Sequence, residues 1–222
     1  AAGATFKVKI LDCKLYVRKV KISPSVFIAH NKALEGGNAK YPIRRSVCKT
    51  YTIPARNLDH TQENLFTGQL PTRIVVGCVN NDAFNGRFSK NPFNFKHFDL
   101  TQLRVYMDGQ QHSLIPTEPN FNTNNYITAY SNLFAGTGKL MKDEGTDIRR
   151  EDFGSGYALY AFDLTADLAE EGHFNLMKHG NVRLDLKFGT ALPNTINVIA
   201  YAEFESVLEI DKSRNIIIDY KN

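Results

Sequence analysis

Apolar and polar residues alternate along much of the chain, which is the period expected of β-strands with one buried face. The first such stretch has apolar residues at even positions over 6–10 and at odd positions over 13–17. A shift of one position turns a strand over unless a bulge or bend absorbs it. We therefore predict a long, bent first strand over residues 5–22, with an irregularity near Leu11 and Asp12.

The same alternation, with β-branched and aromatic residues, predicts further strands. They cover residues 43–53, 73–79, 95–107, 156–164, 182–188 and 195–210. The segment over 182–188 alternates most strictly, and the segment over 95–107 ends at an Asp-Gly turn signal.

Three segments break this pattern and are predicted as short helices. Ser23 and Pro24 fit an N-cap and a first helical residue, and Gly36 with Gly37 ends the helix that follows. Residues 124–134 have apolar residues at helical spacing. Residues 167–178 are a weaker candidate because Gly172 interrupts them.

About eight strands with short helices in the connections predict an all-β fold, an eight-stranded jelly-roll sandwich formed by residues 1–222 as a single domain. A sandwich and a barrel both fit the strand lengths, and periodicity does not fix the strand order. The jelly roll is favoured because its long connections accommodate helices, which up-and-down meanders lack.

Composition supports a folded domain and narrows its chemistry. The 222 residues are 42% hydrophobic, which excludes wholesale disorder. The net charge is +4, and the charged residues are interspersed rather than gathered into a nucleic-acid-binding stripe. The densest basic stretches, 14–21 and 44–49, alternate with apolar residues, and we interpret them as solvated strand faces. We therefore expect no specific nucleic-acid partner.

The three cysteines, Cys13, Cys48 and Cys78, match neither a zinc motif nor a disulfide framework. Each has β-branched or apolar neighbours, so we predict buried thiols in a reducing compartment. The sequence opens at Ala1 without a signal peptide and has no apolar run of membrane-spanning length. We therefore expect a protein with no membrane span that is not secreted through a signal peptide, either a processed product or a piece of a longer chain.

No catalytic or cofactor site is predicted. Residues 136–139 (Gly-Thr-Gly-Lys) are similar to a phosphate-binding loop, but Leu133 stands where a Walker motif needs glycine, so a helix C-terminal turn is the better interpretation. The six histidines lack metal-ligand spacing. No nucleophile elbow occurs, and adjacent acidic residues fit a solvated surface. We therefore expect no enzyme activity, no cofactor and no bound metal.

Apolar residues in loops, on one predicted helix face and near the C-terminus are the candidates for contact with other molecules. The isoleucine run near the C-terminus could cover a sheet edge or dock on a neighbouring molecule. The self-assembly candidates are Phe93, Phe95, Phe121, Tyr126, Tyr130, Phe134, Ile216, Ile217 and Ile218.

Several longer stretches carry a resemblance to a known family. They are residues 20–27 (VKISPSVF), 39–45 (AKYPIRR), 62–66 (QENLF), 91–95 (NPFNF), 156–164 (GYALYAFDL), 172–176 (GHFNL) and 195–204 (TINVIAYAEF). Through these stretches, which span nearly the whole chain in order, the sequence resembles the hexon-like double jelly-roll major capsid proteins of Polinton/Maverick elements and adintoviruses. Many such elements are integrated in animal genomes as endogenous viral elements.

The resemblance implies a structural virion protein that assembles with itself. Proteins of this family carry two jelly rolls per chain, and three copies form a pseudo-hexagonal capsomer. The present chain would then be the C-terminal roll, with the helix over 124–134 between the sixth and seventh strands. The implied partners are copies of itself, as a homotrimer in the full-length parent, and other capsid proteins. The implied location is the virion capsid, assembled inside the host cell in the cytoplasm or nucleus.

Two other classes of function stay open. A carbohydrate- or receptor-binding jelly-roll module would need exposed aromatic residues and convergent polar groups, and the absence of Trp weighs against it. A cupin-like enzyme would need a His/Glu metal set on facing strands, whereas the histidines lie mostly outside the predicted strands.

Overall fold

The computed structural model describes residues 8–112, 117–165 and 176–218. Within these ranges the chain forms four helices and nine strands. Its residues group into two compact units, a larger one of residues 42–206 and a smaller one of residues 8–41 with 207–218.

The strands and helices are numbered separately in chain order. The strands are β1 (Ala39–Ile53), β2 (Asp59–Gln69), β3 (Arg73–Asn80), β4 (Leu100–Met107), β5 (Gln110–Gln111), β6 (Leu159–Asp163), β7 (His179–Phe188), β8 (Ile196–Ile210) and β9 (Ile216–Ile218). The helices are α1 (Pro24–Gly36), α2 (Asn81–Phe84), α3 (Ile127–Gly136) and α4 (Arg150–Gly154).

Eight of these strands pair as a nested set. β4 pairs with β5, β3 with β6, β2 with β7, and β1 lies beside β8. The nesting produces one sheet in the order β1-β8-β3-β6, with β9 beside β8, and a second in the order β2-β7-β4-β5. A long hairpin folded into two antiparallel sheets in this way is a jelly roll. The predicted all-β jelly-roll fold is therefore confirmed.

Burial alternates along the central strands of the larger unit, as the periodicity predicts. In β7, Val182, Leu184, Leu186 and Phe188 are buried, and the residues between them are not. These side chains belong to a single cluster with buried residues of both sheets. The core therefore lies between the two sheets.

The predicted first strand over residues 5–22 is wrong for the part of it that the structure describes. Residues 8–22 form neither helix nor strand, and every one of them is exposed. Residues 5–7 lie outside the described residues. Alternation of apolar residues reports a tendency to form a strand, but a strand also needs a paired neighbour to satisfy its backbone groups.

The predicted helices have mixed outcomes. α1 is confirmed, with Ser23 in an extended N-cap conformation and Pro24 in the first turn. α3 begins at Ile127 and lies between the fifth and sixth strands rather than between the sixth and seventh, because residues 8–22 do not contribute a strand. The candidate helix over 167–178 lies mostly outside the described residues.

The basic stretch over 44–49 is only partly a solvated strand face. The guanidinium carbon of Arg45 lies 4.6 Å from the ring centroid of Phe204. The Lys49 ammonium lies 5.0 Å from the ring centroid of Phe66 and donates a hydrogen bond to the Leu65 carbonyl oxygen at 2.9 Å. These two cations face aromatic rings, because their stems cover apolar surface while their charged ends find π faces and an acceptor. The interpretation as solvated side chains is wrong for both.

Candidate interaction surface

Antiparallel pairing places four connections of the larger unit at one end of the jelly roll. These connections join β1 to β2, β3 to β4, β5 to β6 and β7 to β8. Backbone hydrogen bonds tie them to one another: the Arg56 N–H donates to Leu192 O at 2.8 Å, and the Asn81 N–H donates to Thr195 O at 3.1 Å. The Phe95 N–H donates to Gly156 O at 2.7 Å. We call this surface the long-connection end.

The opposite end carries the β2–β3 and β6–β7 connections and the tight β4–β5 turn. There the Leu70 N–H donates to Lys178 O, and the Leu164 N–H donates to Thr72 O, each at 2.8 Å. Asp108 and Gly109 of the β4–β5 turn both have positive φ, as expected for the Asp-Gly hairpin signal. A cavity of about 80 Å³ lies at this end, lined by residues that include Met107. That volume holds only a few water molecules.

Large apolar side chains are exposed at the long-connection end. Phe93 is 72% exposed and Phe88 is 80% exposed, and both belong to the β3–β4 connection. The Phe93 N–H donates to the Asn91 side-chain oxygen at 2.9 Å, a local turn that holds the Phe93 backbone. Tyr157 adds a third exposed ring, and its backbone bridges that of Phe95. Grouped exposed apolar residues are typical of interaction sites.

Charges beside these rings are paired with one another. The Asp82 carboxylate accepts hydrogen bonds from Arg87 at 2.9 Å and from Lys90 at 3.2 Å. These two hydrogen bonds are the main reason that the pKa of the Asp82 carboxyl lies below its ordinary value. Arg87 and Lys90 are therefore engaged locally.

The sequence-predicted candidates occupy three different environments. Phe93 and the isoleucines of β9 are exposed, and β9 pairs with the end of β8. The β9 pairing agrees with the sheet-edge alternative for the isoleucine run. Phe95 and Phe134 are half-buried. Assembly through any of these residues stays a prediction.

The remaining candidates belong to an aromatic cluster inside the larger unit. Tyr126 is buried, and Phe121 and Tyr130 pack against the core. The cluster centres on Phe153, which is fully buried and contacts the rings of Phe121, Tyr126, Tyr130 and Tyr160 with centroids 5.8–6.4 Å apart. Phe153 was not a sequence candidate, because it stands alone in a charged stretch. Its ring attaches helices α3 and α4 to the sheet that contains β6.

Titratable groups in the cluster serve packing. Burial lowers the pKa of His97, an effect that Lys96 assists and Asp99 opposes. The His97 ring stacks on Phe121 at 4.0 Å between centroids, and its Nδ1 accepts a hydrogen bond from the Asp99 N–H at 2.9 Å. Burial likewise raises the pKa of the Tyr160 hydroxyl.

The prediction that all three thiols are buried is correct only for Cys78. Burial raises the pKa of the Cys78 thiol to about 12, which leaves no appreciable thiolate at neutral pH. Cys48 is exposed because it lies on the outward face of β1, and Cys13 is exposed because residues 8–22 are unpaired. The apolar neighbours of these two residues indicate strand tendency rather than burial.

The remaining sequence predictions concern the turn over residues 136–139, metal-binding groups and membrane-spanning segments. Residues 136–139 form the turn that ends α3, where the Gly138 N–H donates to Ala135 O and the Lys139 N–H donates to Phe134 O. The interpretation as a helix C-terminal turn is confirmed. Across the described ranges, no three His, Cys, Asp or Glu side chains group as metal ligands would. No helix in the described part of the chain has the length and apolar character needed to cross a membrane.

Comparison with known sequences finds a relative of low identity. No protein-family model matches the chain. The Caenorhabditis elegans "Uncharacterized protein F54H12.2" is 27% identical over 220 residues, which are 96% of this chain and 52% of that protein. The chain therefore spans about half the length of this relative.

Comparison with solved structures concerns the fold. A chain in the cryo-EM structure of the Sputnik virophage matches with a TM-score of 0.52 and 12% identity, over 82% of this chain and 39% of that chain. A chain of the PBCV-1 virus capsid model matches with a TM-score of 0.48 and 12% identity, over 83% and 52% of the two chains. The Sputnik match shows a shared fold. At the level of fold, the resemblance to double jelly-roll major capsid proteins is confirmed.

Proposed function

We propose that this chain is a structural capsid protein, or a domain of one, that works by burying surface against copies of itself and other capsid proteins. The observation that carries the proposal is the nested strand pairing, a fold shared with the Sputnik virophage chain. A shell protein needs complementary surface rather than a polar reaction centre, and the long-connection end supplies exposed rings such as Phe93. Its location would be the virion capsid.

The proposal includes a longer parent and a specific assembly. The present roll would be the C-terminal half of a double jelly-roll chain, and three parent chains would form a capsomer. The relative of about twice the length supports a longer parent chain. Its source is a nematode, which favours a viral element integrated in an animal genome. The proposed role is not enzymatic, and it needs neither a cofactor nor nucleic-acid specificity.

The oligomeric state of the full-length gene product tests this proposal. We expect light scattering to detect trimers and electron microscopy to detect larger shells. Each specific contact should bury on the order of 1,000 Å² or more. A full-length product that stays monomeric at all concentrations, with no particles, would contradict the proposal.

A pair of matched variants locates the contact surface. Phe93→Asp places a charge on an exposed side chain at the long-connection end, and Leu176→Asp places one on an exposed side chain at the opposite end. We expect Phe93→Asp to weaken self-association about tenfold or more without lowering Tm, as charging an interface centre does. Leu176→Asp should keep wild-type association. Equal effects of the two variants would contradict the placement of the contact surface at the long-connection end.

A second candidate is a carbohydrate- or receptor-binding role for the same surface. The exposed rings of Phe93 and Tyr157 favour it, because apolar ring faces stack on sugars. A glycan array probed with the purified chain tests this candidate. Binding that Phe93→Asp abolishes would support it, and an array without hits would reject its carbohydrate form.

A further inference from the structure

Residues 8–22 display an unusual amount of apolar surface, and we call this segment the arm. It pairs with no strand of the described chain. Seven of its large apolar side chains are between 65% and 97% exposed: Val8, Ile10, Leu11, Leu15, Tyr16, Val17 and Val20. Single exposed apolar residues are ordinary on protein surfaces, but a contiguous run of this size marks a surface that something covers.

The arm has the sequence of a strand. Apolar residues occupy every second position from Leu11 to Val17, with a change of phase after Ile10, and β-branched and aromatic residues are frequent in the segment. Its 15 positions equal the length of β8, which is the last of the eight nested strands and lies between two neighbours. In the exposed arm water satisfies the backbone N–H and C=O groups, but once its apolar side chains are covered only a partner strand would do so. The missing partner is therefore the edge of a sheet.

Helix α1 marks where the arm ends. The Arg214 guanidinium carbon lies 4.4 Å from the ring centroid of Phe27, and the same side chain donates a hydrogen bond to the Asn31 side-chain oxygen at 2.9 Å. α1 is thus attached to the turn between β8 and β9 within the smaller unit. The boundary between unattached and attached residues lies at Ser23, the N-cap of α1.

The charge of the arm indicates the charge of the surface that would cover it. The whole chain has 27 basic and 23 acidic residues. Five of the basic residues and one of the acidic residues lie in the arm, so the rest of the chain has 22 of each. The arm therefore carries the net positive charge of the chain, and its polar face fits neighbouring strands with acidic side chains.

We infer that the arm is the last strand of a preceding jelly roll of the parent chain, and that the present roll begins at α1. The occupant of the apolar face is the core of that preceding roll, whose strands next to the arm present acidic residues. The relative is about twice as long as the matched region, so a parent chain of similar length would have room for a second roll. The inference rests on the longer parent proposed above, but it does not depend on shell assembly.

Cys13 is a natural reporter, because it shares the apolar phase of the arm with Leu15 and Val17. In the 222-residue chain its thiol is exposed and should react with a disulfide reagent within seconds to minutes. In the full-length gene product we expect its reaction to slow at least a hundredfold. Cys48 is the internal control, because it lies on the outward face of β1 and should react at a similar rate in both.

Substitutions in the arm distinguish a buried strand of the parent chain from an exposed surface segment. Leu15→Asp with Val17→Asp should leave the Tm of the 222-residue chain unchanged, because both side chains are exposed there. In the full-length product the same pair should lower the Tm of the preceding roll by roughly 5 °C or more, as loss of buried apolar contacts does in a domain of this size. Lys14→Ser with Arg18→Ser, on the alternate positions, is the matched control. It should leave the Tm of the 222-residue chain unchanged and lower the Tm of the full-length product much less than the apolar pair does, because exposed cross-strand charge pairs contribute less than buried apolar side chains.

Three results would overturn the inference. One is equal Cys13 reactivity in the two proteins, and another is a natural gene product that begins at Ala1. The third is a 222-residue chain that self-associates and becomes monomeric when residues 1–22 are deleted, since the arm would then bind a second copy. Failure to find trimers or shells would contradict the proposed function while leaving the inference intact, so the two failures are distinguishable.

Discussion

Gly136 lies so close to Ala161 that a Cβ atom on Gly136 would be 2.8 Å from the Ala161 Cβ and 2.9 Å from its carbonyl carbon. This contact brings the last residue of α3 directly against β6. In an open helix position, Gly→Ala stabilises by up to about 1 kcal/mol. Here the added methyl meets backbone, so we expect Gly136→Ala to lower the free energy of unfolding by about 1–3 kcal/mol.

Urea unfolding of Gly136→Ala and Gly145→Ala checks this prediction. Gly145 is the matched control, because the nearest atom to a Cβ placed there is 3.8 Å away. It should change stability by no more than about 0.5 kcal/mol. A stabilised Gly136→Ala protein would show that α3 does not press on β6.

Phe153 should be the most costly aromatic residue to truncate in the cluster. Its ring is fully buried and contacts four other rings, so we expect Phe153→Ala to cost about 3–5 kcal/mol. Phe93→Ala, on the surface, should cost about 0.5 kcal/mol or less. Denaturant titration of both variants gives the comparison, and similar losses would place Phe93 in the core.

The stability of the chain should depend on pH through His97. Because burial lowers the pKa of His97, the unfolded chain binds a proton at this residue more readily than the folded chain does. The contribution of neutral His97 to the free energy of unfolding is complete above the unfolded pKa of about 6.5. It is lost as the pH falls below that value. The free energy of unfolding should therefore decrease from pH 7.5 to 5.

His97→Phe keeps a stacking ring but cannot titrate, and it should flatten this part of the profile. Carboxyl groups with lowered pKa, such as Asp82, lose their contribution only at more acidic pH and do not obscure the comparison. A wild-type slope that His97→Phe reproduces would assign the pH dependence to another group.

Thiol chemistry should distinguish Cys78 from the other cysteines. At pH 8 in the native 222-residue chain, two thiols per molecule should react with a disulfide reagent, and the third should react only after unfolding. The reason is that burial raises the pKa of Cys78 to about 12 and blocks access, whereas Cys13 and Cys48 are exposed. The double variant Cys13→Ser with Cys48→Ser should have no reactive thiol until urea is added, and a fast native reaction of that variant would contradict the burial.

Sequence periodicity predicted the buried strands well because burial on one face is a local pattern. β3 and β8 fall within one residue of their predicted bounds, and β7 ends at its predicted residue but begins three residues earlier, at His179. β2 was missed, since only Leu65 and Phe66 are buried in it and its register shifts between Gln62 and Phe66. A polar strand with a bulge has no period of two for a sequence to display.

Other differences arise from contacts that are distant in sequence. β4 begins at Leu100 rather than at residue 95, because Phe98 and Asp99 have positive φ and cannot continue a strand. Cys48 is exposed and Lys49 is half-buried, the reverse of what their chemistry suggests. The tertiary position of β1 decides which of its two faces turns inward, and Lys49 lies on the inward face. The exposed ring of Phe93 was predictable as a loop aromatic, but the Phe153 cluster required knowledge of where α3 and α4 pack.

The segment between α3 and α4 connects two firmly packed helices and is itself largely exposed. The nested strand pairs close both sheets without it, so changes in its length or sequence should leave the strand pairing in place. Substitutions and insertions in this exposed stretch should therefore be tolerated better than in the paired strands. An engineer could use the same tolerance to display a foreign peptide between Leu140 and Asp147.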